Sequence, residues 1–173
     1  MPITPLHLGP GSIVKILMGE RLSLMVFAFS QGLMDIEVIG RVALGMGKIH
    51  GFTNTVPGAS FVLIPSIVLG KPICEWCLRW WNRNLDPKQS TYLSVPAHIS
   101  WPCATVSAAI GVYSHWFLDA LMHADAEALW PMESGNRFIS WLSVDELNQL
   151  CIVTLLFGFG ILMVLGLFKR GSN

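Results

Sequence analysis

The sequence predicts an all-α membrane protein, with about four transmembrane or re-entrant helices and one interfacial amphipathic helix in a single domain, residues 1–173. Hydrophobic residues make up 53% of the chain and charged residues only 13%, whereas a soluble domain carries roughly 25% charged residues. The hydrophobic residues are also concentrated in four runs, at 22–39, 54–70, 100–122 and 148–168. Long apolar runs separated by polar segments are typical of a polytopic bundle that contacts the lipid bilayer.

The first run, 22–39, contains two carboxylates in its second half, Asp35 and Glu37. Charged groups are costly in hydrocarbon, so this half is not expected to face lipid all round. Two arrangements are possible. In the first, the run crosses the membrane. In the second, residues 12–37 form a re-entrant hairpin that returns His7 to the same side as Asp35.

The second run, 54–70, is short for a hydrocarbon core of roughly 30 Å, and Pro65 should kink it. Residues 71–99 are predicted to be an interfacial loop that contains an amphipathic helix. The apolar stripe of that helix consists of Cys74, Cys77, Leu78, Trp81 and Leu85.

The third and fourth runs are the most regular helices that the sequence predicts. Ser100 is a suitable N-cap for the run 100–122, and Pro102 fits its first turn. A separate short helix is expected over residues 13–18, with Ser12 as its N-cap and Gly19 at its end. The run 148–168 contains no charged residue, so it is the clearest candidate to cross a membrane.

The distribution of positive charge predicts an orientation. Residues 1–21, 71–99 and 169–173 hold eight of the eleven Lys and Arg residues, so these segments should be cytoplasmic. If the chain crosses the membrane four times, three segments meet at the outer face: the end of the first run, the start of the second and the end of the third. The net formal charge is zero, so we expect no nucleic-acid partner.

His115 and Asp119 form the first candidate pair of metal ligands. Residues four apart on a helix differ by about 40° of rotation and ~6 Å of rise, so these two side chains share a face and can hold one ion. His123 lies two turns from His115, about 12 Å along a regular helix. It could serve a second ion, act as an acid or base, or bend inwards if the helix ends near Met122.

Other polar residues are expected at the same outer face. We predict a metal site in which the ligands are Asp35, His50, His115 and Asp119, joined by His7 in the hairpin arrangement. Oxygen and imidazole ligands suit zinc, with manganese or iron(II) as alternatives. A metal ion lowers the pKa of bound water to about 7, and Glu37 or His123 could move the proton as a catalytic residue.

A non-catalytic alternative uses the same polar cluster. The cluster could transport ions or solutes, or it could only pack helices together. Without a metal ion, Asp35, Glu37 and Asp119 would repel one another, so helix packing would require some of them to be protonated.

Short motifs occur in a fixed order along the chain: Thr4-Pro5-Leu6-His7, Asp35-Ile36-Glu37, His50-Gly51-Phe52-Thr53-Asn54-Thr55, Gly111-Val112-Tyr113-Ser114-His115 with Asp119, and Trp130-Pro131. In this order and spacing, residues 4–131 resemble the metal-dependent hydrolases of the bacterial inner membrane, the LexA-regulated type and related families of unknown function.

The resemblance implies a metal site in a protein of the bacterial inner membrane. Our first hypothesis is that this site, at the outer face, hydrolyses a small-molecule substrate with a phosphoester or amide bond, or a lipid-linked substrate. The resemblance matches the acidic pair to Asp35 and Glu37, the first loop histidine to His50, and the Ser-His-x-x-x-Asp motif to Ser114, His115 and Asp119. A second histidine that is frequent in the family is replaced here by Asn54. Asparagine is a weaker, neutral ligand, so three outcomes are open. The site has fewer ligands, His123 takes the place of the missing ligand, or the chain has no activity.

Overall fold

The computed structural model describes residues 4–139 and 141–171 of the chain. Within these residues every regular element is helical, and none is a strand. The α-helices are α1 (Leu8–Met18), α2 (Leu24–Ala43), α3 (Val56–Val68), α4 (Gly70–Arg83), α5 (Pro87–Leu93), α6 (Trp101–Met122) and α7 (Val144–Gly171). The predicted all-α class is therefore confirmed.

Helices α1 and α2 form a hairpin at the N-terminal end of the described chain. Gly19 ends α1 with φ of +56°, a value that favours glycine. The next residues reverse the chain, and the Ser23 side chain caps α2 by accepting a hydrogen bond from the Val26 N–H. With 11 residues, α1 is about 16 Å long, roughly half of a hydrocarbon core.

This hairpin places His7 beside His115 and close to the end of α2 that contains Asp35. The structure thus agrees with the re-entrant alternative in bringing His7 to the side of Asp35. The predicted capping role of Ser12 is wrong. Ser12 is buried inside α1, where its hydroxyl donates to the carbonyl oxygens of Gly9 and Thr154.

Helices α3 and α4 form a bent pair. Thr55 caps α3 by accepting a hydrogen bond from the Gly58 N–H, and the axes of the two helices differ by 44°. The break lies at Leu69, one turn beyond the predicted kink at Pro65. Glu75, off the predicted apolar stripe, is buried and accepts hydrogen bonds from Lys71 and from the Ile99 N–H.

The core that positions the site lies between α2, α3 and α6. One cluster of buried residues consists of Met34, Ala59, Val62 and Val112. Along α2 and α6 the Ser23 N–H donates to Ser107, and the Gln31 amide donates to Ser114. These two contacts advance in the same direction along both helices, so α2 and α6 run parallel, with Asp35 and His115 near the same end.

Helix α7 packs against α1, with Thr154 beside Ser12. Residues Val144–Gly166 of α7 are long and apolar enough to cross a membrane, and only 11% of their most apolar stretch is buried. In the described part of the chain the bent pair α3–α4 is the other candidate for one span. Helices α2 and α6 do not reach the same hydropathy, so a bundle of about four spans stays a prediction.

Candidate metal centre

The first candidate metal group consists of His7, His115 and Asp119. A short 3₁₀ turn, Thr4–His7, delivers His7 directly before α1, and α6 presents the other two residues from successive turns. One ring nitrogen of each histidine and one carboxylate oxygen lie within 4.8 Å of one another. His115 Nε2 is 3.1 Å from Asp119 Oδ2, and the Nδ1 atoms of the two histidines are 3.3 Å apart. All three side chains are buried.

Asp35 of α2 adds a second carboxylate to this group. Its Oδ1 atom lies 3.3 Å from His115 Nε2. Neither Asp35 nor Asp119 is aligned for a hydrogen bond with that nitrogen, and within the described residues the buried Nε2 atoms of His7 and His115 have no hydrogen-bond partner. Buried polar atoms normally have a partner. An unpartnered His115 nitrogen beside two carboxylate oxygens therefore fits a bound divalent cation.

His7 is suited to bind a cation at neutral pH. Burial, with a smaller contribution from the neighbouring His115, lowers the pKa of the His7 imidazole to about 4. The ring is therefore neutral at pH 7 and keeps one nitrogen lone pair, which a metal ligand requires.

Asn54 contacts the first group as a hydrogen-bond donor. Its side-chain Nδ2 atom is 2.6 Å from Asp119 Oδ2, and the residue is buried. Asn54 thus contacts a candidate ligand through its amide nitrogen.

The second candidate group consists of His50, His123 and Asp125. Here too one ligand atom from each residue lies within 4.8 Å of the others. His50 Nδ1 is 2.7 Å from Asp125 Oδ1, and the rings of His50 and His123 are stacked with centroids 4.1 Å apart. Helix α6 ends at Met122, so His123 lies outside the regular helix, and it is grouped with His50 rather than with His115 and Asp119.

The electrostatics of the second group favour a charged carboxylate beside a neutral imidazole. Burial lowers the pKa of His123, and the neighbouring His50 lowers it further. Burial opposes ionisation of Asp125, but hydrogen bonds from the backbone and ring of His50 outweigh it and lower the pKa of the carboxyl.

Glu37 lies in neither group. Its carboxylate accepts hydrogen bonds from the backbone N–H groups of Phe52 and Thr53, from the Thr53 hydroxyl and from Arg41. These contacts tie the turn Phe52–Asn54 to α2, so the carboxylate is already engaged in holding the loop that carries Asn54.

The structure therefore divides the predicted ligands. His7, Asp35, His115 and Asp119 come together, whereas His50 lies with His123. Asp125 was not predicted as a site residue. Its position two residues after His123, in an acidic loop, is the signal that could have identified it.

Comparison with protein-family models, with curated proteins and with solved structures gives no match for this chain.

Proposed function

We propose that this chain is a membrane-embedded, metal-dependent hydrolase that acts on a phosphoester, amide or lipid-linked substrate. The observation that carries the proposal is the meeting of a second imidazole and two carboxylates at His115: His7 and Asp119 are buried with it, and half-buried Asp35 lies 3.3 Å from its Nε2 atom. Two carboxylates this close to a poorly solvated site are costly unless a cation compensates their charge.

These four residues would hold the cation, and zinc suits their mixture of nitrogen and oxygen ligands, with manganese or iron as alternatives. When bound, such an ion polarises a phosphoryl or carbonyl oxygen and lowers the pKa of water. Among the residues of the chain, Asn54 fixes the orientation of Asp119. The half-buried imidazole of His123 is neutral at pH 7 because its pKa is lowered, so where it holds no metal ion a free ring nitrogen can accept a proton.

A lipid-linked substrate is supported by the apolar surface near the site. A groove of about 370 Å³ beside α2 and α3 includes Glu37 and Thr53 in its lining, and its apolar lining residues are Leu33, Ile36, Phe52, Phe61, Val62 and Pro65. On α7, Leu156 and Phe157 are about 70% exposed, and such a surface suits lipid. We place the protein in the inner membrane with the site at the outer face, because most Lys and Arg residues belong to the other predicted side.

Metal analysis of the purified full chain in detergent micelles tests the proposal. We expect stoichiometric zinc after loading with Zn²⁺ and gel filtration, and loss of the ion that His115 and Asp119 bind in the variants His115→Ala and Asp119→Asn. His98→Ala is the matched control, since His98 is exposed and lies beside Glu75, away from both groups. Circular dichroism checks that each variant is folded.

Hydrolysis of bis(p-nitrophenyl) phosphate, a generic phosphodiester, gives a second measurement, and activity should follow the zinc content of His115→Ala and Asp119→Asn. If the wild-type chain binds no metal and the folded variants keep its stability, the hydrolase proposal is wrong. That result would favour the non-catalytic alternative, in which the polar cluster packs helices or transports ions.

A further inference from the structure

We infer that His50, His123 and Asp125 form a second divalent-cation site beside the first. The two imidazoles and one carboxylate offer three ligand atoms within 4.8 Å of one another. This number of protein ligands and this mixture of donors are typical of a zinc site that leaves a coordination position open.

The second site is held in place before any ion binds. Asp125 Oδ2 accepts hydrogen bonds of 3.0 Å from the backbone N–H groups of Ile49 and His50. The carboxylate is thereby fixed to the loop that carries His50, and its Oδ1 atom lies 2.7 Å from His50 Nδ1.

The backbone around His123 is fixed as well. Asn136 donates from its side-chain amide to the carbonyl oxygens of Ala120 and His123, at 2.6 and 2.8 Å. The same loop is joined to α3 and α6 through Ala128, whose carbonyl accepts from the Val56 N–H and from the Trp116 ring. A site with a fixed backbone loses little entropy when a cation binds.

The two groups are neighbours along α6. His123 follows Asp119 by one turn, and the His123 N–H donates to the Asp119 carbonyl oxygen at 2.9 Å. The loop residues His50 and Asn54 face these two positions, since His50 stacks on His123 and Asn54 donates to Asp119. Two adjacent cations would act on one bound substrate, and this part of the inference rests on the proposed function.

The test measures how many zinc ions the purified full chain binds. The chain in detergent is stripped with a chelator, loaded with Zn²⁺, passed through gel filtration and analysed by mass spectrometry. Calorimetric titration with Zn²⁺ provides an independent count. We expect two ions per chain in the wild type and in the control His98→Ala, and one ion in His123→Ala and in Asp125→Asn.

Asp125→Asn is the conservative variant, because it keeps a side-chain oxygen that can accept the Ile49 and His50 backbone hydrogen bonds. Circular dichroism identifies any variant that does not fold. One ion in the wild type that is lost in His115→Ala but kept in His123→Ala overturns the second site and leaves the proposed function intact. One ion in the wild type that is lost in His123→Ala but kept in His115→Ala supports the second site and overturns the first. A wild type that binds no ion overturns both.

Discussion

Asn54 Nδ2 donates a hydrogen bond of 2.6 Å to Asp119 Oδ2, and the same oxygen lies 3.1 Å from His115 Nε2. Asn54 thus contacts Asp119, a candidate metal ligand, as a hydrogen-bond donor. A buried donor of this kind fixes the direction in which the carboxylate presents its oxygens, and this orientation contributes to metal affinity. An asparagine at position 54 is therefore compatible with a metal site that includes Asp119.

We predict that Asn54→Leu weakens zinc binding by roughly 10- to 100-fold, the usual cost of removing a partner that orients a ligand. Leucine has a similar volume but donates no hydrogen bond, so Asp119 loses its fixed orientation. Competition with a chromophoric chelator measures the affinity. Asn84→Leu is the control, because Asn84 is exposed at the end of α4, where its side-chain amide donates to the Trp80 carbonyl oxygen. Equal affinity in the two variants would contradict the role of Asn54.

For Glu37, we predict that Glu37→Gln lowers the free energy of unfolding by about 1.5–3 kcal/mol, the usual contribution of hydrogen bonds to a charged group. The reason is that the carboxylate ties the turn Phe52–Asn54 to α2. Denaturant unfolding in detergent measures the change, and zinc content should stay at the wild-type level.

Glu127→Gln is the control for this measurement, since the ion pair of Glu127 with Lys48 is about 40% exposed and such pairs contribute roughly 0–1 kcal/mol. Unchanged stability of Glu37→Gln, together with complete loss of hydrolysis, would instead favour the predicted proton-transfer role of Glu37.

The pH dependence of stability should reveal the buried His7. Its pKa is about 4 in the folded chain and about 6.5 in an unfolded chain. Between these values the unfolded chain binds a proton that folded His7 does not. Stability of the zinc-free protein should therefore fall as the pH is lowered from 6.5 to 4, with no contribution above that window.

Unfolding of the zinc-free chain at several pH values measures this effect. His7→Leu should have a smaller pH slope than the wild type in the same window, whereas His98→Leu should keep the wild-type slope because His98 is exposed. Identical slopes for the two variants would show that His7 is not buried in its neutral form.

The sequence predicted the parts of the fold that depend on local chemistry. The Ser100 cap follows from N-cap preference, and the His115–Asp119 pair follows from helix periodicity. The sequence could not decide between a membrane crossing and a re-entrant hairpin, because the direction of α1 depends on tertiary packing. Gly9 lies so close to α7 that a side chain there would meet the Cys151 carbonyl, and nothing local in the sequence indicates that contact.

The division of the candidate ligands was harder to predict for a related reason. His123 and Asp125 follow the end of α6, where helical spacing no longer determines which side chains meet. Asp125 binds His50, which lies 75 positions away in the chain. Their pairing depends on how the loop after α6 folds over the loop before α3, and that arrangement is set by backbone hydrogen bonds that sequence patterns do not specify.

Helix α6 approaches α2 closely at Gly111. A Cβ atom at this position would overlap the Ser30 hydroxyl and lie 2.8 Å from the Phe27 carbonyl oxygen. Gly111→Ala must therefore separate the two helices, at a cost of about 1–3 kcal/mol in stability. Because Asp35 belongs to α2 and His115 to α6, zinc affinity should fall with stability.

Gly32→Ala is the matched control, since Gly32 also lies in the middle of a helix but a Cβ atom there would meet nothing within 4 Å. That substitution should raise stability by up to about 1 kcal/mol through helix propensity alone and leave zinc affinity unchanged. Denaturant unfolding and chelator competition measure both variants. If Gly111→Ala keeps wild-type stability and affinity, the close contact between α2 and α6 does not determine the geometry of the metal centre.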